Sequence, residues 1–510
     1  MASKSGTSWA SVAAERIIAT HPDAKSYTIA AGISPSGVVH FGNFRDVVTS
    51  HLVREALKES GKNVRLIFSW DNFDRYRKVP VGVPESFAEY IGKPLSKIPD
   101  PFGKLSSYAE RFQAPFVEAM ERLGIEIEYR DQTLLYESGA YDEMIFHALR
   151  EREKIADILL SFMSDKAKGK KGIDPVEYRK HYYPVAVYSR FTGKDITNVL
   201  NYDGGSQVTY LCVETGKADT VDLAKEHIAK LSWKIDWPMR WKYEDVVFEP
   251  GGHDHASPGG SYDVASRIAR EVFGFEPPIF VEYKFVGIQG LGSKMSGSKG
   301  NALPPLGLLD IYEPDLLKWL YFRKSPDQSF ELAFNTEIYR QYDEYDLEHP
   351  EGNAIPFRQA VGFGQVLQWQ EDKLQKVLEA LGLKYSLESI KSRLPLANNW
   401  LTKYNLDQKI VLNDSINIKY VETMSDVHKQ QVKKLHNELK KRSDTTISEL
   451  EALVYEIPKS PELSEVELKK EQRAFFKDVY NLLIGKDTGP RLGTFLWAVE
   501  RGQVLKLLDI

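Results

Sequence analysis

Two short segments of the chain combine small residues with nitrogen donors in a pattern suited to polyphosphate. The first is Pro35-Ser36-Gly37-Val38-Val39-His40-Phe41-Gly42-Asn43, set where an extended run hands over to a helical one. There, free backbone N–H groups and the positive end of a helix face whatever lies beyond the turn. Gly37 and Gly42 permit close approach, and His40 and Asn43, one helical turn apart, direct donors at the same phosphate. The second segment is Gly292-Ser293-Lys294-Met295-Ser296-Gly297-Ser298-Lys299-Gly300. Two lysines among small residues suit a loop that wraps a polyphosphate and neutralises charge developing on a departing pyrophosphate. Taken singly, each segment is more simply read as structure, the first as an ordinary turn with a capping histidine and the second as a flexible surface loop.

Three further clusters could carry chemistry. Gly251-Gly252-His253-Asp254-His255, followed by Ser261-Tyr262-Asp263, offers good metal donors, yet with two imidazoles and no further cluster nearby no metal site is expected. Asp71 and Asp74 in WDNFDR form a carboxylate pair, read as structural and as ordering Arg75 and Arg77. Lys166, Lys168, Lys170 and Lys171, and separately Lys429, Lys433, Lys434, Lys440, Lys441 and Arg442, form basic patches able to neutralise nucleic-acid phosphates, or else solvated helix faces.

The elements that must position these groups are legible in the hydrophobic pattern. YTIAAGIS at 27–34 predicts a buried strand, NFRDVVTSHLVREALKESG a helix closing on Gly61, and VRLIFSW at 64–70 the next strand. This is a βαβ unit, whose ligands sit beyond the carboxyl ends of the strands. PPIFVEYKFVGI at 277–288 predicts another strand leading into the Gly/Ser/Lys loop, and residues 85–235 read as insertions into the sheet. From about residue 355, Gly and Pro thin out and helical spacing takes over. The expected fold is therefore α/β, a Rossmann-like doubly wound parallel sheet with insertions, followed by an all-α C-terminal domain.

Composition sets outer bounds. The 510 residues predict roughly two to four domains. Lys+Arg 67 against Asp+Glu 72 leaves −5, so any nucleic-acid contact must come from local patches. One cysteine, Cys212, excludes an intramolecular disulfide and a cysteine-built zinc site and points to the reducing cytoplasm. Neither a targeting segment nor a membrane span is expected.

Taken together and in this order, the two phosphate motifs resemble the HIGH and KMSKS elements of class I aminoacyl-tRNA synthetases. Finer blocks, GISPSGVVHFGNFRD, FSWDNFDRYRKVP, YIGKPLSKIPDPFG, DWPMRW, GGHDH and GPRLG at 489–493, resemble the class I lysyl-tRNA synthetases of the archaeal type over nearly the whole chain. Asn43 replaces the last histidine of HIGH, and Gly297 the second lysine of KMSKS. The resemblance implies ligation of L-lysine to tRNA(Lys) through lysyl-adenylate, with ATP and Mg²⁺. It implies His40, Asn43 and Lys294 as catalytic, and Gly42, Gly252, Asp254, Lys294, Ser296, Ser298 and Lys299 as ATP-binding. Ser34, Asp46, Trp241, His255 and Tyr262 would hold lysine, with Asp46 as counter-ion of its ammonium group and Trp241 and Tyr262 as walls. The domains implied are 1–84 and 236–350 as halves of the catalytic domain, 85–235 as the inserted acceptor-stem region, and 351–510 as the helical anticodon-binding domain.

Some relatives in this family carry a zinc ribbon built from C-x-x-C-G pairs. Here YSRFTGKD at 188–195 and LCVETGK at 211–217 keep the spacing and the turn glycine but hold Ser189, Thr192, Cys212 and Thr215 at the four ligand positions. Structural zinc needs four tetrahedral ligands, so a metal-free ribbon remnant is expected; an unrelated hairpin insertion is the alternative.

Overall fold

The computed structural model describes residues 8–289, 303–442 and 445–510. The chain divides into two compact units, Met1–Leu309 with Leu317–Leu332, and Asp310–Leu316 with Ala333–Ile510.

In the first unit the strands run, in chain order, β1 (Tyr27–Ile33), β2 (Val64–Trp70), β3 (Glu128–Asp131), β4 (Val185–Val187), β5 (Thr197–Tyr202), β6 (Gln207–Cys212), β7 (Lys217–Asp222), β8 (Ala229–Leu231), β9 (Val246–Gly252), β10 (Ile279–Tyr283) and β11 (Val286–Gln289). Five of them form a wholly parallel sheet in the order β10-β9-β1-β2-β3. The apolar run of β1 suits a strand covered on both faces, and Tyr27 to Ala31 are buried. From β1 the chain moves outward to β2 on one side and meets β9 on the other. That reversal opens a crevice at the strands' carboxyl ends.

The helix after β1 is α2 (Phe41–Glu59). His40 caps it, and Gly61, at φ +73, follows its end. Buried Arg45 donates to the carbonyls of Lys284 (2.9 Å), Ser325 (3.0 Å), Pro326 (3.0 Å) and Gln328 (2.8 Å). These bonds end β10 at Tyr283 and explain a difference from the pattern-based expectation. Residues 277–288 are not one strand: β10 lies in the parallel sheet and β11 in a separate two-stranded one. The 85–235 stretch is likewise not all insertion, because β3 completes the main sheet at its edge. Its sequence, EYRD, is polar and incompletely buried, so it lacks the apolar run that marks a strand.

The remaining insertion carries the antiparallel sheet β5-β6-β7 and the β4-β8 pair. Its core includes Val187, Val208, Tyr210, Cys212, Val221 and Leu231. The second unit is helical, with long helices at Asp426–Lys441 and Glu465–Ile484 packed through Val432, Leu435, Phe475 and Val479. Within it, buried Arg393 binds Glu313 (3.0 Å), both oxygens of Asp346 (2.7 and 2.6 Å) and the Ile355 carbonyl (2.8 Å). This charge-assisted cluster places the start of the unit near Asp310 and Ala333, ahead of residue 351.

Candidate functional site

Two cavities open at the carboxyl end of β1, and consecutive residues at that end line them: Gly32 the smaller, Ile33 and the following Ser34 the larger. The larger, ≈ 450 Å³, is bounded by the 34–43 turn on one side and by Asp74–Lys78 on the other. His40 Nδ1 accepts the Gly42 N–H at 3.1 Å, so in the neutral ring Nε2 carries the proton. Burial lowers the pKa of His40, which keeps the ring neutral. Asn43 Oδ1 accepts the His40 N–H at 3.3 Å, completing the capping box and leaving its amide NH₂ as donor. Both side chains line the cavity. A Cβ on Gly42 would come within 2.9 Å of the His40 ring, so glycine here permits the capping geometry. The turn is also held from outside, by Tyr108 Oη donating to the Ser36 carbonyl at 2.9 Å.

The smaller cavity, ≈ 90 Å³, has indole walls and a carboxylate floor. Trp233, Trp237 and Trp241 from one helix, Trp233–Glu244, line it. So do Asp46 from α2, Glu249 from β9 and Tyr283 from β10. Asp46 accepts the Gly32 N–H at 3.2 Å, and Trp241 Nε1 donates to Glu249 Oε2 at 2.6 Å. Burial, then the nearby Glu249 charge, pushes the Asp46 pKa well above the carboxylate range, opposed by hydrogen bonds from Gly32 and the Tyr283 hydroxyl. Burial likewise raises Glu249 to about 7. Among the described residues neither carboxylate has an ion-pair partner. Arg240, the cation lining the same cavity, is committed to Asp71 (2.6 Å) and Asp236 (2.8 Å). Two buried carboxylates lacking a counter-ion form a site for a slender cation with an apolar stem.

The sequence-predicted residues distribute unevenly over this geometry. Ser34, His40 and Asn43 meet in the larger cavity; Asp46, Trp241, Gly252 and His255 meet in the smaller. Tyr262 stands behind the wall, stacked on Phe280 at 4.2 Å with its hydroxyl donated to the Pro278 carbonyl at 2.8 Å, and lines neither cavity. Asp254 is exposed. Lys294, Ser296, Ser298 and Lys299 lie outside the described residues. Sequence reading missed Glu249, Trp233, Trp237 and Tyr283. Glu249 had a weak signal, two residues before the Gly251-Gly252 turn at a strand end, whereas Trp237 was visible inside the DWPMRW block.

Asp71 and Asp74 belong to a buried charge network. Arg240 bridges Asp71 and Asp236, while Lys230 from β8 bridges Asp74 (3.0 Å) and Asp236 (2.9 Å). Tyr136 Oη donates to Asp236 at 2.5 Å. The network ties the insertion to the cavity wall and presents no free acid. In the insertion, the Cys212 thiol receives hydrogen bonds from Ser189, Thr192 and Thr215, so the four ribbon positions converge on one buried point. Among the described residues no group of three or more His, Cys, Asp or Glu could hold a metal ion. No helix among them is long and apolar enough to cross a membrane.

Comparison with known proteins fits this geometry. A family model described as "tRNA synthetases class I (K)" matches residues 7–354. The chain is 36% identical to "Lysine--tRNA ligase" of Streptomyces coelicolor, over 98% of this chain and 98% of that protein. It is 34% identical to the protein of the same name from Pyrococcus horikoshii and 33% to that from Thermococcus kodakarensis, in each case over 98% of this chain and 99% of the relative.

Proposed function

Since the chain belongs to the class I (K) tRNA synthetases, we propose that it joins L-lysine to tRNA(Lys), using ATP to form lysyl-adenylate first. The observation that carries this reading is the Asp46–Glu249 pair, walled by indoles and lacking a cation. A lysine ε-ammonium supplies the missing charge, and its methylene stem suits the aromatic walls. A site for glutamate would need the opposite sign of charge, which argues against an acidic substrate.

The two cavities divide the substrates between them. With the side chain in the smaller one, the lysine carboxylate lies toward the end of β1, where the larger begins. There a carboxylate oxygen attacks the α-phosphorus of ATP, the bond to the bridging oxygen breaks, and its electron pair leaves with pyrophosphate. No covalent enzyme intermediate is required, so alignment and charge stabilisation supply the catalysis. His40 Nε2–H, the Asn43 amide and the α2 N-terminus are preorganised donors for the phosphate oxygens. The tRNA terminal ribose hydroxyl then attacks the lysyl carbonyl, releasing AMP.

Mg²⁺ accompanies ATP in this reading. The larger cavity is rich in N–H donors and has one carboxylate in its lining, Asp74, which is the side chain there that would help hold the metal, the rest of its ligands coming from ATP and water. The exposed basic residues of the helix Asp426–Lys441 support a role for the helical unit in holding tRNA phosphates. The single, buried Cys212 suits a reducing compartment, the cytoplasm. ATP–pyrophosphate exchange measured with each of the twenty amino acids tests the proposal. Exchange that depends on lysine alone is expected; exchange with another amino acid, or with none, overturns it.

A further inference from the structure

The wall of the larger cavity facing the 34–43 turn is built from Asp74-Arg75-Tyr76-Arg77-Lys78, and three of these five residues are cationic. Arg75 pairs with Asp195 of the insertion at 3.5 Å. Arg77 and Lys78 are exposed and make no hydrogen bond or ion pair among the described residues. Arg77 acts on Asp195 only through its longer-range field. Two cations lining a ≈ 450 Å³ cavity without protein partners, opposite a set of N–H donors, make a positive space suited to an anion.

The backbone that carries them is locked. The Tyr76 N–H donates to the Lys93 carbonyl at 2.8 Å, and the Gly92 N–H returns to the Tyr76 carbonyl at 2.9 Å. Asp195 N–H then donates to the Gly92 carbonyl at 2.9 Å, so the insertion backs the loop. The Tyr76 ring meets Tyr108 edge-on at 5.0 Å, and Tyr108 is the residue whose hydroxyl holds Ser36. One tyrosine thus braces both sides of the cavity and fixes their separation before any ligand arrives.

We propose that Arg77 and Lys78 are phosphate-contacting residues, the second jaw of a clamp that holds the polyphosphate of ATP against His40 and Asn43. The inference rests on the adenylation reading and adds to it a source of positive charge within the described residues, separate from Lys294 and Lys299. As the α-phosphorus bond to the bridging oxygen breaks, charge accumulates on the departing pyrophosphate, and fixed cations there stabilise the transition state more than the ground state. Arg75, neutralised by Asp195, acts as a positioning residue.

The test is lysine-dependent ATP–pyrophosphate exchange, with and without tRNA(Lys), on wild type and on Arg77→Ala, Lys78→Ala and the double variant, with Arg77→Gln and Lys78→Gln as bulkier neutral replacements. Folding is checked by thermal unfolding; both side chains are exposed, so native melting is expected. Calorimetric titration with inorganic pyrophosphate and with adenosine is run alongside. Expected are a tenfold or greater loss of kcat/KM for ATP in each single variant, a larger loss in the double, weaker pyrophosphate binding, and unchanged adenosine affinity and lysine KM. Variants that exchange normally but charge tRNA poorly would assign the cations to tRNA and overturn the proposal, as would unchanged exchange and charging together. Wild type without lysine-dependent exchange in either condition would instead sink the underlying adenylation reading.

Discussion

Trp241 Nε1 lies 2.6 Å from Glu249 Oε2 inside a cavity that also holds Asp46, so an indole presents a carboxylate to a space whose lining cation, Arg240, is committed to Asp71 and Asp236. The arrangement is costly in the empty protein. Burial without an ion-pair partner raises the pKa of both carboxyl groups, the Glu249 charge adds to the rise at Asp46, and the ionised forms weaken the fold that contains them. A proton or a cationic ligand relieves that cost, and the first two predictions follow from their competition.

Glu249→Gln should raise the KM for lysine at least tenfold at pH 8 while changing kcat less, because the lost charge acts in the ground state and the transition state alike. The same substitution should stabilise the ligand-free protein by on the order of 1–3 kcal/mol at that pH, by removing a buried charge. Exchange kinetics and thermal unfolding read the two effects. An unchanged lysine KM would remove Glu249 from the site.

Binding of lysine should weaken on acidification. Burial holds Glu249 at about 7, against an ordinary 4.5, so below about pH 7 its carboxyl is neutral and lysine must displace a proton. kcat/KM for lysine should therefore fall as pH drops from 8 to 6, with proton release detectable by calorimetry in buffers of different ionisation enthalpy. For stability the sign is opposite. The folded protein binds the extra proton between about 4.5 and about 7, so the contribution of this group is lost as pH rises through that window. A lysine kcat/KM that is flat from pH 6 to 8 would contradict this.

Asn43→Ala removes a donor to the phosphates and should slow adenylate formation by about 2–4 kcal/mol of barrier. Pre-steady-state measurement should place the loss in the rate constant, leaving lysine affinity within a factor of two. A loss confined to lysine KM would contradict the assignment. Lys294→Ala should behave in the same way.

At the knuckles, Ser189, Thr192 and Thr215 surround Cys212 with hydrogen bonds where zinc would need thiolates. Elemental analysis after dialysis against a mild chelator should find no stoichiometric zinc in the active protein. The triple variant Ser189→Cys, Thr192→Cys, Thr215→Cys should acquire one zinc per chain. Zinc retained by the wild type would refute the metal-free knuckle.

Lys433, Lys434 and Lys440 lie on the exposed face of the helix Asp426–Lys441, opposite buried Val432, Leu435 and Leu439. Their replacement by Glu should leave lysine-dependent exchange intact, reduce tRNA charging at least fivefold and shallow its salt dependence. Equal losses in both assays would point to misfolding rather than RNA contact.

The periodicity of β1, α2 and β2 was enough to predict a turn carrying His40 and Asn43 at the end of a parallel strand. Local capping and a continuous apolar run are properties of adjacent residues, and sequence displays them. The change to helical spacing announced the second unit for the same reason. The second carboxylate could not be seen in this way. Asp46 and Glu249 are 203 positions apart in the chain and meet only because β1 and β9 are neighbours in the sheet. Sheet order also decided that polar EYRD is a strand, because the hydrogen bonds to β2 compensate for the missing apolar run. Tyr262 shows the reverse. Its type and position suited a pocket wall, yet stacking on Phe280 placed it one layer behind, a choice made by long-range packing that no local pattern encodes.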